Sequence, residues 1–200
     1  MVCGIILAAG MSSRMNAFKA MLPIGGTSFI KKIIHEMHDA GVRDIIVVTG
    51  YKHTELEEHI RDESVTCIYN DRYDRTQMLD SLKLGIAALP ADCDKVLVTP
   101  VDVVLSSQEV YSKVISADGD FVRPFCSGKS GHPVLVGRCL FELIESYDGD
   151  GGLEGAIAAS GTAITDVPVD DEAISLDADT PEDYRRVIRK YEHTGHRQWF

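Results

Sequence analysis

The chemistry-bearing residues of this chain are concentrated near its N-terminus. Between Leu7 and Lys19 it reads Leu-Ala-Ala-Gly-Met-Ser-Ser-Arg-Met-Asn-Ala-Phe-Lys. Small residues at Ala8, Ala9 and Gly10 let backbone N–H groups approach an anion closely, and the hydroxyls of Ser12 and Ser13 add donors. Arg14 and Lys19 supply positive charge. That composition is a phosphate cradle suited to a triphosphate or pyrophosphate. The loop is neither a G-x-G-x-x-G dinucleotide motif nor a Walker A loop. An NAD-dependent oxidoreductase, which would want the former, is disfavoured.

Charge is distributed to match. Residues 1–35 hold Arg14, Lys19, Lys31 and Lys32 and no acid, whereas 139–184 hold thirteen Asp or Glu and no Lys or Arg. Two readings remain open from charge alone: solvated faces of a single sign, or a phosphate-binding N-terminus facing carboxylates that hold a divalent cation. Asp102 ends a strand, where its carboxylate can reach a ligand lying over the first loop. Magnesium needs only one or two protein carboxylates beside water and phosphate oxygens.

Several other signals are weak. Gly128-Lys129-Ser130 imitates the end of a P-loop, but Arg123 stands where the first glycine should be. His35, Glu36 and His38 have the wrong spacing for H-E-x-x-H, with Asp39 in the second histidine's place. Cys126 and Cys139 have no base identifiable from sequence and read as packing residues.

The elements that must position these groups alternate between short β-branched runs and helical patterns, the signature of βαβ units around a mostly parallel sheet. Strands are expected over Val2–Leu7, Asp44–Thr49, Val65–Tyr69, Lys95–Pro100, Asp120–Pro124, Val134–Val136, Ala163–Val169 and Ile174–Leu176. Helices are expected from Phe29 to Ala40, with Gly41 as the stop, and over Glu55–Arg61, Met78–Leu89, Gln108–Ser116, Leu140–Ser146, Leu153–Ala159 and Pro181–Tyr191, the last capped by Thr180. In such sheets ligands sit beyond the carboxyl ends of the strands, so the loops after the first and fourth strands are the places to search.

The whole is bounded by 200 residues, 44% apolar and 26% charged content, which fit one globular domain over residues 1–200. No apolar run reaches the roughly 20 residues of a membrane span. Neither a secretory leader nor a disulfide framework is expected, because Met1 leads directly into a short apolar run and the five cysteines are scattered. A cytoplasmic setting follows. A net charge of −11 disfavours nucleic acid and anionic membrane as partners.

The pattern L-A-A-G-x-S-x-R-M-x-x-x-K, followed by Leu22, Pro23, Gly25 and Gly26, resembles the MobA-like nucleotidyltransferases, relatives of the enzymes that add CMP or GMP to molybdopterin cofactor. Further blocks continue in the family's order: Asn70 with Ser81, Leu82 and Gly85; Pro100-Val101-Asp102; Gly131-His132-Pro133-Val134; and Leu176 to Tyr184. The resemblance implies an α/β fold, a three-layer αβα sandwich with a Rossmann-like mostly parallel sheet of the nucleotide-diphospho-sugar transferase type. It implies nucleotide contacts at Leu7, Ala8, Ala9, Gly10, Ser12, Arg14, Lys19, Asn70 and Ser81. Mg2+ would sit on Asp102 and Asp179, with Asp177 as a neighbour, and Gly131 and His132 would border the acceptor pocket. Gly149 to Gly152 resemble the acceptor-side loop, whose acidity without a cation is at odds with a phosphorylated acceptor.

The implied reaction is attack by an acceptor phosphate on the α-phosphorus of an NTP, with pyrophosphate leaving and Arg14, Lys19 and Asp102 carrying catalysis. The Ala-Ala-Gly form resembles the cytidylyl branch, which points to CTP, with molybdopterin cofactor as acceptor. Asn16, Gln77 and Val103-Val104 depart from the family pattern. A sugar phosphate or small alcohol phosphate acceptor, or a catalytically silent nucleotide-binding module, is the alternative reading. The chain is expected to work as a monomer or small homo-oligomer.

Overall fold

Val2–Ala8 is apolar on both faces, and the fold uses both. Ile6 and Ala8 pack into one core and Cys3, Ile5 and Leu7 into another, the two-fold alternation of a strand covered on each side. The computed structural model describes residues 1–15 and 17–193. The departure at Asn16 lies outside the described residues.

The strands are β1 (Val2–Ala8), β2 (Pro23–Ile24), β3 (Thr27–Ser28), β4 (Ile45–Thr49), β5 (Thr66–Tyr69), β6 (Lys95–Pro100), β7 (Phe121–Cys126), β8 (Lys129–Ser130), β9 (Val134–Gly137) and β10 (Ile164–Pro168). The helices are α1 (Phe29–Asp39), α2 (His53–His59), α3 (Met78–Ala87), α4 (Gln108–Ser116), α5 (Phe141–Ser146), α6 (Gly152–Ser160) and α7 (Pro181–His193). The main sheet runs β10-β7-β9-β6-β1-β4-β5, with β8 added to β7 and a separate β2–β3 hairpin. Pairs β1–β4, β1–β6, β4–β5 and β7–β10 are parallel, whereas β9 runs antiparallel to both its neighbours. Buried residues of α1, α2, α4 and α7 cover one face and those of α3, α5 and α6 the other. This is the αβα sandwich with a mostly parallel sheet. No helix among the described residues is long and apolar enough to cross a membrane.

Most element boundaries fall where periodicity places them. Gly41 ends α1 with φ +90, as a helix-terminating glycine should. Thr180 caps α7: its hydroxyl accepts the Asp183 backbone N–H at 3.2 Å while Asp183 Oδ2 accepts the Thr180 N–H at 3.0 Å. Asp183 is therefore spent on the helix start.

One expected strand is absent. Glu172–Ser175 forms a single 3-10 turn in place of a strand over Ile174–Leu176. Asp171 Oδ1 accepts the Ala173 N–H at 2.9 Å, offering the backbone a local turn instead of a ladder. The hairpin β2–β3 and the short β8 were not expected, because two-residue strands carry no periodicity.

Candidate active site

The first loop leaves the sheet at the carboxyl end of β1 and folds over the ends of β4 and β6. Its path is pinned from both neighbours: Ala9 O accepts the Tyr51 N–H at 3.1 Å, and Leu7 O accepts the Val101 N–H at 3.1 Å. Gly50 makes the first approach possible, since a Cβ there would stand 2.5 Å from Ala9 O. Ser12 takes a positive φ of 53, its carbonyl accepts Met15 N–H at 3.0 Å, and its hydroxyl accepts Lys19 N–H at 3.2 Å. The loop thereby turns back and delivers Lys19 to the strand ends.

Four charged side chains meet there. Lys19 Nζ donates to Asp102 Oδ2 at 2.9 Å and to Asp179 Oδ1 at 2.6 Å, and Arg14 Nη2 donates to Asp179 Oδ2 at 2.6 Å. Asp102 follows β6, and its carbonyl accepts the Ala178 N–H at 3.2 Å, which brings the segment carrying Asp179 alongside. Burial works against the Lys19 charge, but the Asp179 hydrogen bond and the Asp102 charge outweigh it and hold the ammonium above the usual lysine range. The hydrogen bond from Lys19 is the main cause of Asp179 lying below the usual carboxylate range.

Two adjoining cavities open over this network. The smaller, of about 210 Å³, is lined by Leu7, Ala8, Ala9, Gly10, Ser12, Lys19, Ser81 and Asp102. The larger, of about 640 Å³, takes in Arg14, Gly131, His132, Gly151, Gly152, Asp177 and Asp179. Leu7, Gln77, Met78, Pro100 and Asp102 border both. Asp102 thus stands at the junction of the two spaces, and Asp179 lines the larger.

Asn70 lines neither cavity. It is 2% exposed, its Nδ2 donates to Thr76 Oγ1 and Ser81 Oγ at 3.0 Å each, and its Oδ1 accepts the Arg72 N–H at 3.0 Å. It ties together the segment before α3. Tyr73, Thr76, Gln77 and Met78 of that segment complete the smaller cavity. Sequence reasoning did not assign Tyr73, Thr76 and Met78 to the site and noted Gln77 only as a departure from the family pattern, although their place after parallel strand β5 was the available signal.

Gly131 is required by its surroundings, since a Cβ would stand 2.2 Å from Ile174 O. His132 N–H donates to that same carbonyl at 2.8 Å, and Ser106 Oγ donates to His132 O at 2.6 Å. The imidazole Nδ1 is buried without a hydrogen-bond partner among the described residues. Burial pushes the ring below the usual histidine range, against the pull of the Val98 backbone and of Asp102 and Glu154.

A divalent cation fits the donor set. Two carboxylates converge on one small cation, the Lys19 ammonium, which lines the smaller cavity. No group of three or more His, Cys, Asp and Glu that could hold a metal occurs among the described residues, so water and phosphate oxygens would supply the remaining ligands, the arrangement magnesium prefers.

Residues 4–165 match the MobA-like NTP transferase domain. The chain is 31% identical over 190 residues to the molybdenum cofactor cytidylyltransferase of Escherichia coli, covering 94% of this chain and 95% of that one. A nucleotidyl transferase from Methanothermobacter thermautotroptrophicus superposes with a TM-score of 0.85 at 24% identity, over 98% of this chain and 99% of that one. The manganese complex of Rv0371C from Mycobacterium tuberculosis superposes with a TM-score of 0.80 at 19% identity, over 94% and 98%. These two structures share the fold.

Proposed function

We propose, for a chain that belongs to the MobA-like NTP transferase family and is a nucleotidyltransferase, that residues 1–200 form one catalytic domain transferring CMP from CTP to molybdopterin cofactor. The observation that carries this reading is the Arg14–Asp179–Lys19–Asp102 network between two cavities. The Ala-Ala-Gly sequence of the first loop and the name of the Escherichia coli relative support the base and the acceptor.

In the reaction, a bond forms from an acceptor phosphate oxygen to the α-phosphorus, and the bond from that phosphorus to the β-phosphate oxygen breaks, so pyrophosphate leaves. No protein nucleophile is needed, and catalysis is positioning and charge neutralisation. Ala8 to Gly10 present backbone to the triphosphate, and Arg14 and Lys19 turn from the carboxylates to its β- and γ-oxygens. Asp102 and Asp179 would hold Mg2+, which would neutralise phosphate charge and polarise the α-phosphoryl group. The manganese complex of a protein with this fold supports a divalent ion. His132 and Gly131 would border the acceptor.

The test is a thermal-shift panel with CTP, GTP, ATP, UTP and NAD, each with and without Mg2+, since a ligand that binds only the folded state raises the midpoint with concentration. A Mg2+-dependent shift selective for CTP is expected, with pyrophosphate release on adding molybdopterin cofactor. A shift with NAD alone would sink the reading. Nucleotide binding without turnover on any phosphorylated acceptor would indicate a silent nucleotide-binding module, and turnover on a sugar or alcohol phosphate would reassign the acceptor.

A further inference from the structure

The acceptor-side wall has a charge problem. A phosphate that attacks a triphosphate brings two polyanions together, and the acid-rich stretch 139–184 contributes Glu154, Asp177 and Asp179 to the same cavity. Among the described residues lining that cavity the only Lys or Arg side chains are Arg14 and Arg123. Arg14 is bound to Asp179 and, on the reading above, serves the triphosphate.

Arg123 comes from outside the acidic stretch. It lies on β7 in register with Asp166 of β10, and its Nε donates to Asp166 Oδ1 at 2.7 Å. Its side chain is only 22% exposed. Asp166 engages Nε, so the planar fork is held in one orientation, while among the described residues its terminal Nη donors have no hydrogen-bonding carboxylate. The nearest further acid, Glu154, is 4.0 Å from Nη1 and 82% exposed, a weak and easily displaced neighbour. An arginine with restricted rotamers and free terminal donors is preorganised for two oxygens of one phosphate.

The geometry points to Arg123 as the residue that binds the phosphate of the acceptor, a bidentate clamp oriented by Asp166. The assignment rests on the nucleotidyltransfer reading and gives it a specificity element: the acceptor is a phosphate monoester with two oxygens on Arg123 and the third free to attack. It also supplies the cation that the sequence of the acceptor-side loop lacks.

The test compares wild type with Arg123→Ala and Arg123→Lys, using CTP, Mg2+ and molybdopterin cofactor. Expected for the alanine variant is an acceptor KM raised about tenfold or more, with CTP affinity by calorimetry within about twofold of wild type. The lysine variant should fall between, since it keeps charge but loses the fork. Intact CTP affinity also reports that the variants fold. Should molybdopterin cofactor prove not to be the acceptor, orthophosphate is titrated onto protein saturated with Mg2+ and α,β-methylene CTP, where Arg14 and Lys19 are already engaged. Binding by wild type that is lost in Arg123→Ala would support the clamp. An unchanged acceptor KM, or orthophosphate binding that is equal in the two proteins or absent from both, would overturn it with the CTP site intact. Failure of wild type to bind any NTP would instead bring down the parent reading, and the clamp with it.

Discussion

The Lys19 ammonium stands between two carboxylates from distant parts of the chain, 2.9 Å from Asp102 Oδ2 and 2.6 Å from Asp179 Oδ1. On the proposed function these are the two carboxylates that would hold a divalent cation. Metal and triphosphate binding are therefore expected to be coupled, because phosphate oxygens must draw Lys19 and Arg14 away before the carboxylates are free. Mn2+ titration followed by electron paramagnetic resonance should show weak binding alone and tighter binding with CTP. Lys19→Ala should strengthen nucleotide-free Mn2+ binding while lowering turnover by about 10²- to 10³-fold. Equal Mn2+ affinity in wild type with and without CTP would contradict the coupling.

Asp102→Ala should lower turnover by about 10³-fold or more, the rate equivalent of several kcal/mol of lost charge stabilisation. The fold should persist, because the structural contact of Asp102 is its carbonyl with the Ala178 N–H, which the substitution keeps. Pyrophosphate release and circular dichroism check the two halves. Near-wild-type rates would remove Asp102 from the mechanism.

Asn70→Ala should act first on stability. Its amide joins Thr76, Ser81 and the Arg72 backbone, and leaving the buried Ser81 hydroxyl without that partner costs about 1–3 kcal/mol. Urea unfolding reads that loss, and CTP affinity should fall with it because Thr76 and Gln77 line the smaller cavity. A variant as stable as wild type that has lost CTP binding would instead make Asn70 a direct nucleotide contact.

His132 should make stability fall in mild acid. Burial holds its folded pKa below the ordinary 6.5, so above that value both states are neutral and no penalty arises. As the pH falls below it, the unfolded chain binds a proton that the folded one refuses, and stability is lost down to the folded pKa with a slope of up to about 1.4 kcal/mol per pH unit. His132→Gln should flatten this part of the profile in urea midpoints measured between about pH 8 and 5. An identical slope in the variant would assign the acid sensitivity elsewhere.

Local chemistry made some features legible and hid others. Thr180 with Asp183 marked a helix start, because a cap is built from neighbours in sequence, and the stretch from Leu7 to Lys19 was marked as the connection after the first strand. Asn70 was read as a nucleotide contact. Its side chain also joins Thr76 of the following loop to Ser81 of α3, a link that no local pattern reveals. Ile174 was assigned to a strand from its apolar neighbours, whereas its carbonyl holds the His132 N–H, a contact set by the packing of two remote segments. Arg123 carried no sequence signal at all beyond spoiling a P-loop.

The sequence by itself determined the period of each strand and helix, the small-residue and cationic composition of the first loop and the placing of Asp102 just past a strand end. These depend on side-chain alternation, turn propensity and the rule that parallel strands present their carboxyl ends to ligands. Only the tertiary structure decided that Lys19 sits between Asp102 and Asp179, that the Asn70 side chain bonds Thr76, Ser81 and the Arg72 backbone and that Arg123 lines the same cavity as Glu154, Asp177 and Asp179. Each of those outcomes depends on distances between segments far apart in the chain, and such distances exist only once the two cores have closed on the sheet.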